Sequence, residues 1–330
     1  MTSINNISLF TNKLLIGDSA ILLKEFPANS IDLIVTSPPY WTAVTYNQDL
    51  TNNSVSYESY IDSLLLIWKE CERILRPNGK IAINTPIMPI PKNIIDNQHT
   101  RHIKNINNDI EFSIISNTNF LRFSLYIWQK QTSKLMFGSY PYPGNLLENN
   151  TIEFINVFVK PGKPPKFDHA LRESNMLSRE EWVDLIQQVW FMYPEDIKRV
   201  GEHPAPFPLK LPGRIIRLYT YGSSDDFEGE IVLDPFCGTG TTCVAAKLMG
   251  RRYIGIDISK KYIEIAQERI DSTTTEDLLL LVGRSKHPGK DELLAMKLNT
   301  RGPIAEKKHK RDTYGRKVEK NNPKQRKFVW

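Results

Sequence analysis

Two stretches of this 330-residue sequence carry residue types at spacings that can do chemistry. The first is Thr36-Ser37-Pro38-Pro39-Tyr40-Trp41. Consecutive prolines lock φ and remove two backbone donors, leaving a stiff loop whose carbonyls face outward as acceptors. The Ser37 hydroxyl is a further acceptor, and Tyr40 offers a flat face. Acceptors beside an aromatic plane suit an exocyclic amino group on a planar base. A rigid turn with a packed tyrosine is the plainer alternative.

The second stretch is Asp234-Pro235-Phe236-Cys237-Gly238-Thr239-Gly240-Thr241-Thr242. Gly238 and Gly240 let backbone approach a ligand closely and expose N–H groups at a helix start. Asp257 follows at roughly the 20-residue spacing at which an acid meets ribose hydroxyls. The third glycine of a dinucleotide fingerprint is missing. The polar, aromatic turn suits a cofactor with adenine and a charged amino-acid tail better than one with a pyrophosphate. A tight strand-to-helix turn without a ligand is the alternative.

Both stretches follow short apolar runs that read as buried strands, Ile31–Val35 and Ile231–Leu233. Further strands are expected at Lys13–Ile16, Lys80–Asn84, Phe123–Trp128, Ile152–Val159 and Tyr253–Asp257. Ile61, Leu64, Leu65, Trp68, Cys71 and Leu75 follow the spacing of an amphipathic helix, which Pro77-Asn78-Gly79 stops. Helices are also expected from Ser19 to about Phe26, over Arg179–Phe191, over Gly213–Tyr221, and from the glycine turn to Gly250. Alternating strands and helices argue for a parallel α/β sheet. In such a sheet the two chemical loops, distant in sequence, can leave the same carboxyl edge beside the topological switch point. Segments 86–119 and 160–202 have no place in this core pattern; the second holds Lys163, Lys166, His169, Arg172 and Arg179.

The net charge of +6 is uneven: residues 301–330 carry 11 Lys+Arg against 3 Asp+Glu, so the rest of the chain is close to neutral. Such a basic run is either a solvated terminus or an arm that binds polyanions with strong salt dependence. No apolar run approaches the roughly 18–20 residues of a membrane helix, and Asp18 and Lys24 interrupt the apolar stretch near the N-terminus. Cys71, Cys237 and Cys243 are too few for a disulfide framework and lack zinc-ligand spacing. A membrane, secreted or collagenous protein is not expected, and the cytoplasm is the expected compartment.

Thr36–Trp41, Asp234–Thr242 and His203-Pro204-Ala205-Pro206-Phe207-Pro208 together resemble the amino-group DNA methyltransferases. Their order, catalytic loop first and cofactor loop last, resembles the permuted beta group of that family. Gly17-Asp18-Ser19 resembles its adenine-side acidic loop, Leu75–Lys80 the turn before its fifth strand, and Glu153–Lys160 a late core strand. The likeness covers roughly residues 13–85, 120–160 and 203–270. Serine before Pro-Pro-Tyr resembles the cytosine-N4 enzymes of type II restriction-modification; adenine-N6 enzymes usually carry Asp or Asn there.

The resemblance implies a Rossmann-like, S-adenosylmethionine-dependent sheet with permuted motif order. Its catalytic domain would comprise 1–160 and 203–283, with 161–202 a candidate target-recognition insert, 86–119 a second candidate DNA-contacting segment and 284–330 a basic tail; a connector plus a surface helix is the alternative reading of the two segments. The implied activity is methyl transfer to N4 of cytosine in double-stranded DNA, with no metal. Adenine-N6 transfer is the runner-up, and a nonenzymatic nucleic-acid-binding protein of this fold the more distant alternative. Tyr40 would stack on a base extruded from the duplex, while Ser37 Oγ and the Pro38 carbonyl, stiffened by Pro39, accept its amino hydrogens. The cofactor set would be Asp18 (adenine amino group), Asp257 (ribose hydroxyls), Gly238 and Gly240 (methionine portion), Phe207 and Phe236 (pocket walls), with Thr36, Asp234, Thr239 and Thr241 beside them. Asp234 capping its own turn is as good a reading as a cofactor role. A cognate restriction endonuclease is the expected functional partner.

Overall fold

Apolar β-rich runs pair into one sheet, and the helices between them cover its faces. In chain order the strands are β1 (Lys13–Ile16), β2 (Ile31–Thr36), β3 (Leu75–Pro86), β4 (Met88–Ile90), β5 (His102–Lys104), β6 (Leu121–Lys130), β7 (Ile152–Val159), β8 (Val189–Met192), β9 (Ile231–Asp234) and β10 (Arg252–Asp257). The helices are α1 (Ser19–Leu22), α2 (Tyr57–Ile74), α3 (Ile106–Asn117), α4 (His169–Ser174), α5 (Arg179–Leu185), α6 (Lys210–Tyr219), α7 (Thr241–Leu248) and α8 (Lys260–Asp271). This computed structural model describes residues 6–41, 56–90, 102–130, 142–144, 151–193, 207–274, 277–278 and 281. Nearly all of these fall in one unit, Met1–Gln131 with Asn150–Ser285; of a second, Thr132–Asn149 with Lys286–Trp330, only 142–144 are described. His203–Pro206 and the basic tail thus lie outside the described residues.

Among the described residues, eight strands make the main sheet, in the order β1-β10-β9-β2-β3-β7-β6-β8. β7 runs antiparallel to both neighbours, and every other adjacent pair is parallel. β4 and β5 pair separately as an antiparallel ribbon. β2 and β9 register Leu33 on Val232 and Ile34 on Leu233, so the two chemical loops leave neighbouring strands at one edge.

Each face of the sheet carries its own apolar layer. α2 and α3 cover one face, burying Leu64, Trp68, Cys71, Ile110 and Ile114 against Ile34, Ile81 and Leu233. α6, α7 and α8 cover the other, burying Ile215, Ala245 and Ile263 against Val35, Ala82 and Val232. This three-layer α/β fold is the one the alternating pattern implies. At the amino edge Arg76 pairs with Asp32 at 2.6 Å and with Glu230, fastening β2, β3 and the start of β9.

Three expectations change. The helix expected over Arg179–Phe191 ends at Leu185, and Val189–Met192 is a strand pairing parallel with Ile127–Lys130. β-branched and aromatic side chains at 189–191 fit a pleated surface, and Trp190 is buried, stacked on Tyr126 at 4.4 Å. Segment 86–119 also enters the core, through Ile106, Ile110 and Ile114 of α3; its asparagines obscured this four-residue spacing. Finally, Pro77-Asn78-Gly79 is a bulge inside β3, with Asn78 at φ 63°, and the strand already pairs at Leu75.

Candidate active site

The acceptor loop leaves β2 at Thr36 and is braced from behind by α2. Tyr60 Oη donates to the Pro39 carbonyl at 2.9 Å, and Trp41 packs edge-on against Tyr57 at 5.1 Å between centroids. Tyr57 is itself fixed by a 2.6 Å bond to Asp109 of α3. Two proline-locked φ angles plus this bracing make the loop stiff before any ligand arrives. The Ser37 hydroxyl donates to the Asn84 carbonyl at 3.1 Å, so its oxygen lone pairs remain to accept. Ser37 Oγ lies 3.4 Å from Tyr40 Oη.

The glycine turn leaves β9 next door. Thr36 Oγ1 donates to Asp234 Oδ1 at 2.7 Å, joining the bases of the two loops across 198 sequence positions. Ser19 Oγ donates to the Pro235 carbonyl at 2.5 Å, which ties in the loop after β1. Gly238 N–H donates to Asp257 Oδ2 at 2.9 Å and Ser259 N–H to Oδ1 at 2.8 Å, which fixes the carboxylate at the end of β10. Gly238 and Gly240 adopt φ 50° and 79°. A Cβ on Gly240 would lie 2.8 Å from that of Ala266 in α8, so the turn has neither conformational nor steric room for a side chain.

The structure sorts the expected site residues into those that frame the edge and those that build its walls. Asp18 is exposed, its carboxylate accepting from Ala20 N–H at 2.8 Å to cap α1. Asp257 is the last residue of β10, and Gly238 and Gly240 lie in the turn between β9 and α7. Asp234 is fully buried, accepting from Thr36 and from Phe236 N–H at 3.0 Å, so its side chain caps its own turn. Burial pushes the Asp234 carboxyl up to about 6, against the hydrogen bonds from Thr36, Thr242 and Phe236 N–H that favour the ion. Burial also raises Asp257, opposed by its two backbone donors. Thr239 and Thr241 are buried, and Arg269 binds both hydroxyls at 3.1 Å. Phe236 packs against the layer under α2, edge-on to Trp68 at 6.0 Å, whereas Phe207 packs with the opposite layer. Cys237 is a buried free thiol among apolar side chains.

A third group at this edge has no place among the expected site residues, although Glu153 opens the stretch that resembles a late core strand. Glu153, the second residue of β7 and 7% exposed, accepts from Tyr40 Oη at 3.1 Å, Asn84 Nδ2 at 2.6 Å and Lys130 Nζ at 2.9 Å. The available signal is a lone carboxylate in the apolar run Ile152–Val159, because buried charges are kept only when paired. Which cation pairs with it is invisible in sequence: Lys130 arrives from β6. Among the described residues no group of three or more His, Cys, Asp or Glu side chains is placed to hold a metal ion, and no helix is long and apolar enough to cross a membrane.

Comparison with known proteins adds the following. A family model described as DNA methylase, of the N6/N4 type, matches residues 31–268. The chain is 28% identical over 295 residues to the type II methyltransferase M.MjaI of Methanocaldococcus jannaschii, covering 80% of this chain and 93% of that one. It is 28% identical over 270 residues to the DNA adenine methyltransferase YhdJ of Escherichia coli, covering 77% and 81%. Among solved structures, a putative DNA modification methylase of Thermus thermophilus, TTHA0409, complexed with S-adenosyl-L-methionine, superposes with a TM-score of 0.62 at 31% identity, covering 78% of this chain and 92% of that one.

Proposed function

The chain belongs to the N6/N4 DNA methylase family, and from that premise we propose that it transfers the methyl group of S-adenosylmethionine to the exocyclic N4 of cytosine in double-stranded DNA. The observation that carries this reading is the 2.7 Å bond from Thr36 to Asp234, which makes an acceptor loop and a glycine turn immediate neighbours. A methyl donor on one and an amino group on the other would face each other across a single edge.

The donor set suits this cofactor. Asp18 and Asp257 line the edge and Asp234 underlies it, a cluster of carboxylates that attracts a sulfonium, an ammonium and hydroxyl donors and repels a pyrophosphate. Asp257 keeps unused lone pairs for ribose hydroxyls, Asp18 for the adenine amino group, and the Gly238 and Gly240 backbone admits the methionine portion. Phe236 and Phe207 would wall the pocket from the two sides. Thr36, Asp234, Thr239 and Thr241 hold these loops in place through the bonds given above. Bound here, the cofactor supplies an electrophilic methyl group.

The protein's part is presentation of the amino nitrogen. That nitrogen is a poor nucleophile while its lone pair is delocalised into the ring. The base must leave the stack to be reached, and the Tyr40 face is the platform that would receive it. Ser37 Oγ, with its own proton committed to the Asn84 carbonyl, accepts one amino hydrogen, and the Pro38 carbonyl accepts the other. Holding both hydrogens out of the ring plane favours a pyramidal nitrogen, which stabilises the transition state more than the ground state. Rigid positioning supplies much of the remaining acceleration. Segment 161–202 beyond its core residues and the basic tail are the parts left for DNA contact, and the type II names of the relatives support pairing with a restriction endonuclease.

Ser37 before the prolines favours cytosine; the likeness to an adenine methyltransferase favours adenine-N6 as the second reading. Incubation of the protein with bacterial DNA and labelled S-adenosylmethionine, followed by nucleoside chromatography, separates them. N4-methylcytosine is expected. N6-methyladenine would replace the base assignment, and no labelled nucleoside would overturn the function.

A further inference from the structure

We propose that Glu153 is a positioning residue for the acceptor loop, acting through the Tyr40 hydroxyl; this rests on the function proposed above. Three observations support it. Glu153 is buried at the start of β7, which runs antiparallel to both neighbours, at the edge where β2 and β3 end. Its Oε2 takes both the Tyr40 hydroxyl, at 3.1 Å, and the Asn84 amide, at 2.6 Å. Its Oε1 takes the Lys130 ammonium at 2.9 Å, which supplies the compensating charge.

The geometry makes Glu153 a junction between two parts of the loop. Through Tyr40 it fixes the tilt of the ring on which a base would lie. Through the Asn84 amide it fixes the residue whose carbonyl receives the Ser37 proton at 3.1 Å. The Asn84 bond, at 2.6 Å, is the short charge-assisted contact, and a carboxylate oxygen that holds two donors restricts the direction of both. The ring and the serine oxygen are thereby referenced to one buried atom of the rigid sheet. Glu153 needs no contact with either substrate, so its effect falls on the turnover step and not on cofactor affinity.

The test compares Tyr40→Phe, Glu153→Gln and the double variant with the full-length parent, using bacterial DNA and tritiated S-adenosylmethionine. Tyr40→Phe keeps the stacking face and removes only the hydroxyl that Glu153 receives. We expect each single variant to lower kcat about tenfold, with KM for the cofactor unchanged within about twofold. The double variant should be no slower than the slower single one, because both break the same contact. Tyr40→Phe carries the test even if Glu153→Gln folds poorly, since it leaves the Glu153–Lys130 pair intact. Parental kcat in Tyr40→Phe, or losses that multiply in the double variant, would overturn the inference while leaving the methyltransferase reading in place. Absence of methyl transfer by the unmodified protein would overturn both.

Discussion

Thr36 donates its hydroxyl proton to Asp234 at 2.7 Å, and both side chains are almost completely buried. The bond crosses from the strand that feeds the acceptor loop to the strand that feeds the glycine turn. A shift of either strand end would therefore be felt in the other loop. Thr36→Val keeps the volume and removes the donor, leaving a buried carboxylate short of one partner. The expected loss is about 1–3 kcal/mol of stability in urea unfolding, with slower methyl transfer. An unchanged unfolding midpoint would show that the tie is not what holds the two loops.

Asp234 also gives the fold a pH dependence. Its folded pKa of about 6 lies above the ordinary 3.8, so the folded state holds its proton more tightly than the unfolded state does. Between those values the native form binds more protons than the unfolded form, and stability from this group falls as pH rises. The full contribution is present below about pH 4 and is gone above about pH 6, a change of about 3 kcal/mol. Asp234→Asn should flatten this slope in unfolding curves recorded across the window. An identical slope in both proteins would assign the dependence to other buried acids, Asp32, Glu230 and Asp257, whose carboxyls burial also raises.

Gly240 sits at φ 79° with Ala266 Cβ 2.8 Å from where its own Cβ would be. Gly240→Ala should cost roughly 1–2 kcal/mol for the left-handed backbone alone, and more for the contact with α8. Isothermal titration should show weakened S-adenosylmethionine binding as the turn moves. Full affinity in the variant would remove this turn from the cofactor site.

Ser37→Ala and Tyr40→Ala separate chemistry from cofactor binding. Each should lower kcat by at least about a hundredfold while calorimetry still registers the cofactor. Ser37 is joined to the fold mainly through the Asn84 carbonyl, so its loss should leave the melting temperature nearly unchanged. Undiminished transfer by both variants would sink the assignment of the Pro-Pro-Tyr loop as the catalytic element.

Arg76 tests the scaffold away from the site. It pairs with Asp32 and Glu230 at the amino edge of the sheet. Arg76→Met removes the cation that bridges half-buried Asp32 and buried Glu230, and about 3–5 kcal/mol of stability should be lost. In the protein that remains folded, turnover should match the parent. A selective loss of turnover without loss of stability would mean that the two edges of the sheet are coupled.

The features legible in the amino-acid order are the local ones. A buried strand running into two prolines, or into a glycine-rich turn, is specified by neighbours a few residues away. The acceptor loop, the glycine turn and the core strands are readable for that reason, as are the α/β class and α2 with its apolar stripe. Elements whose state depends on a distant partner are not. Val189–Met192 reads as the continuation of a helix until β6 offers it a parallel edge. The asparagine-rich segment around α3 reads as surface until Ile106, Ile110 and Ile114 find the sheet. The Glu153 cluster is the sharpest case, because its members come from β2's loop, β3, β6 and β7 and share no sequence spacing. Only the folded chain could make one carboxylate the partner of Tyr40, Asn84 and Lys130 at once. Burial forbids that charge to stand alone, but which groups answer it is decided by strand order.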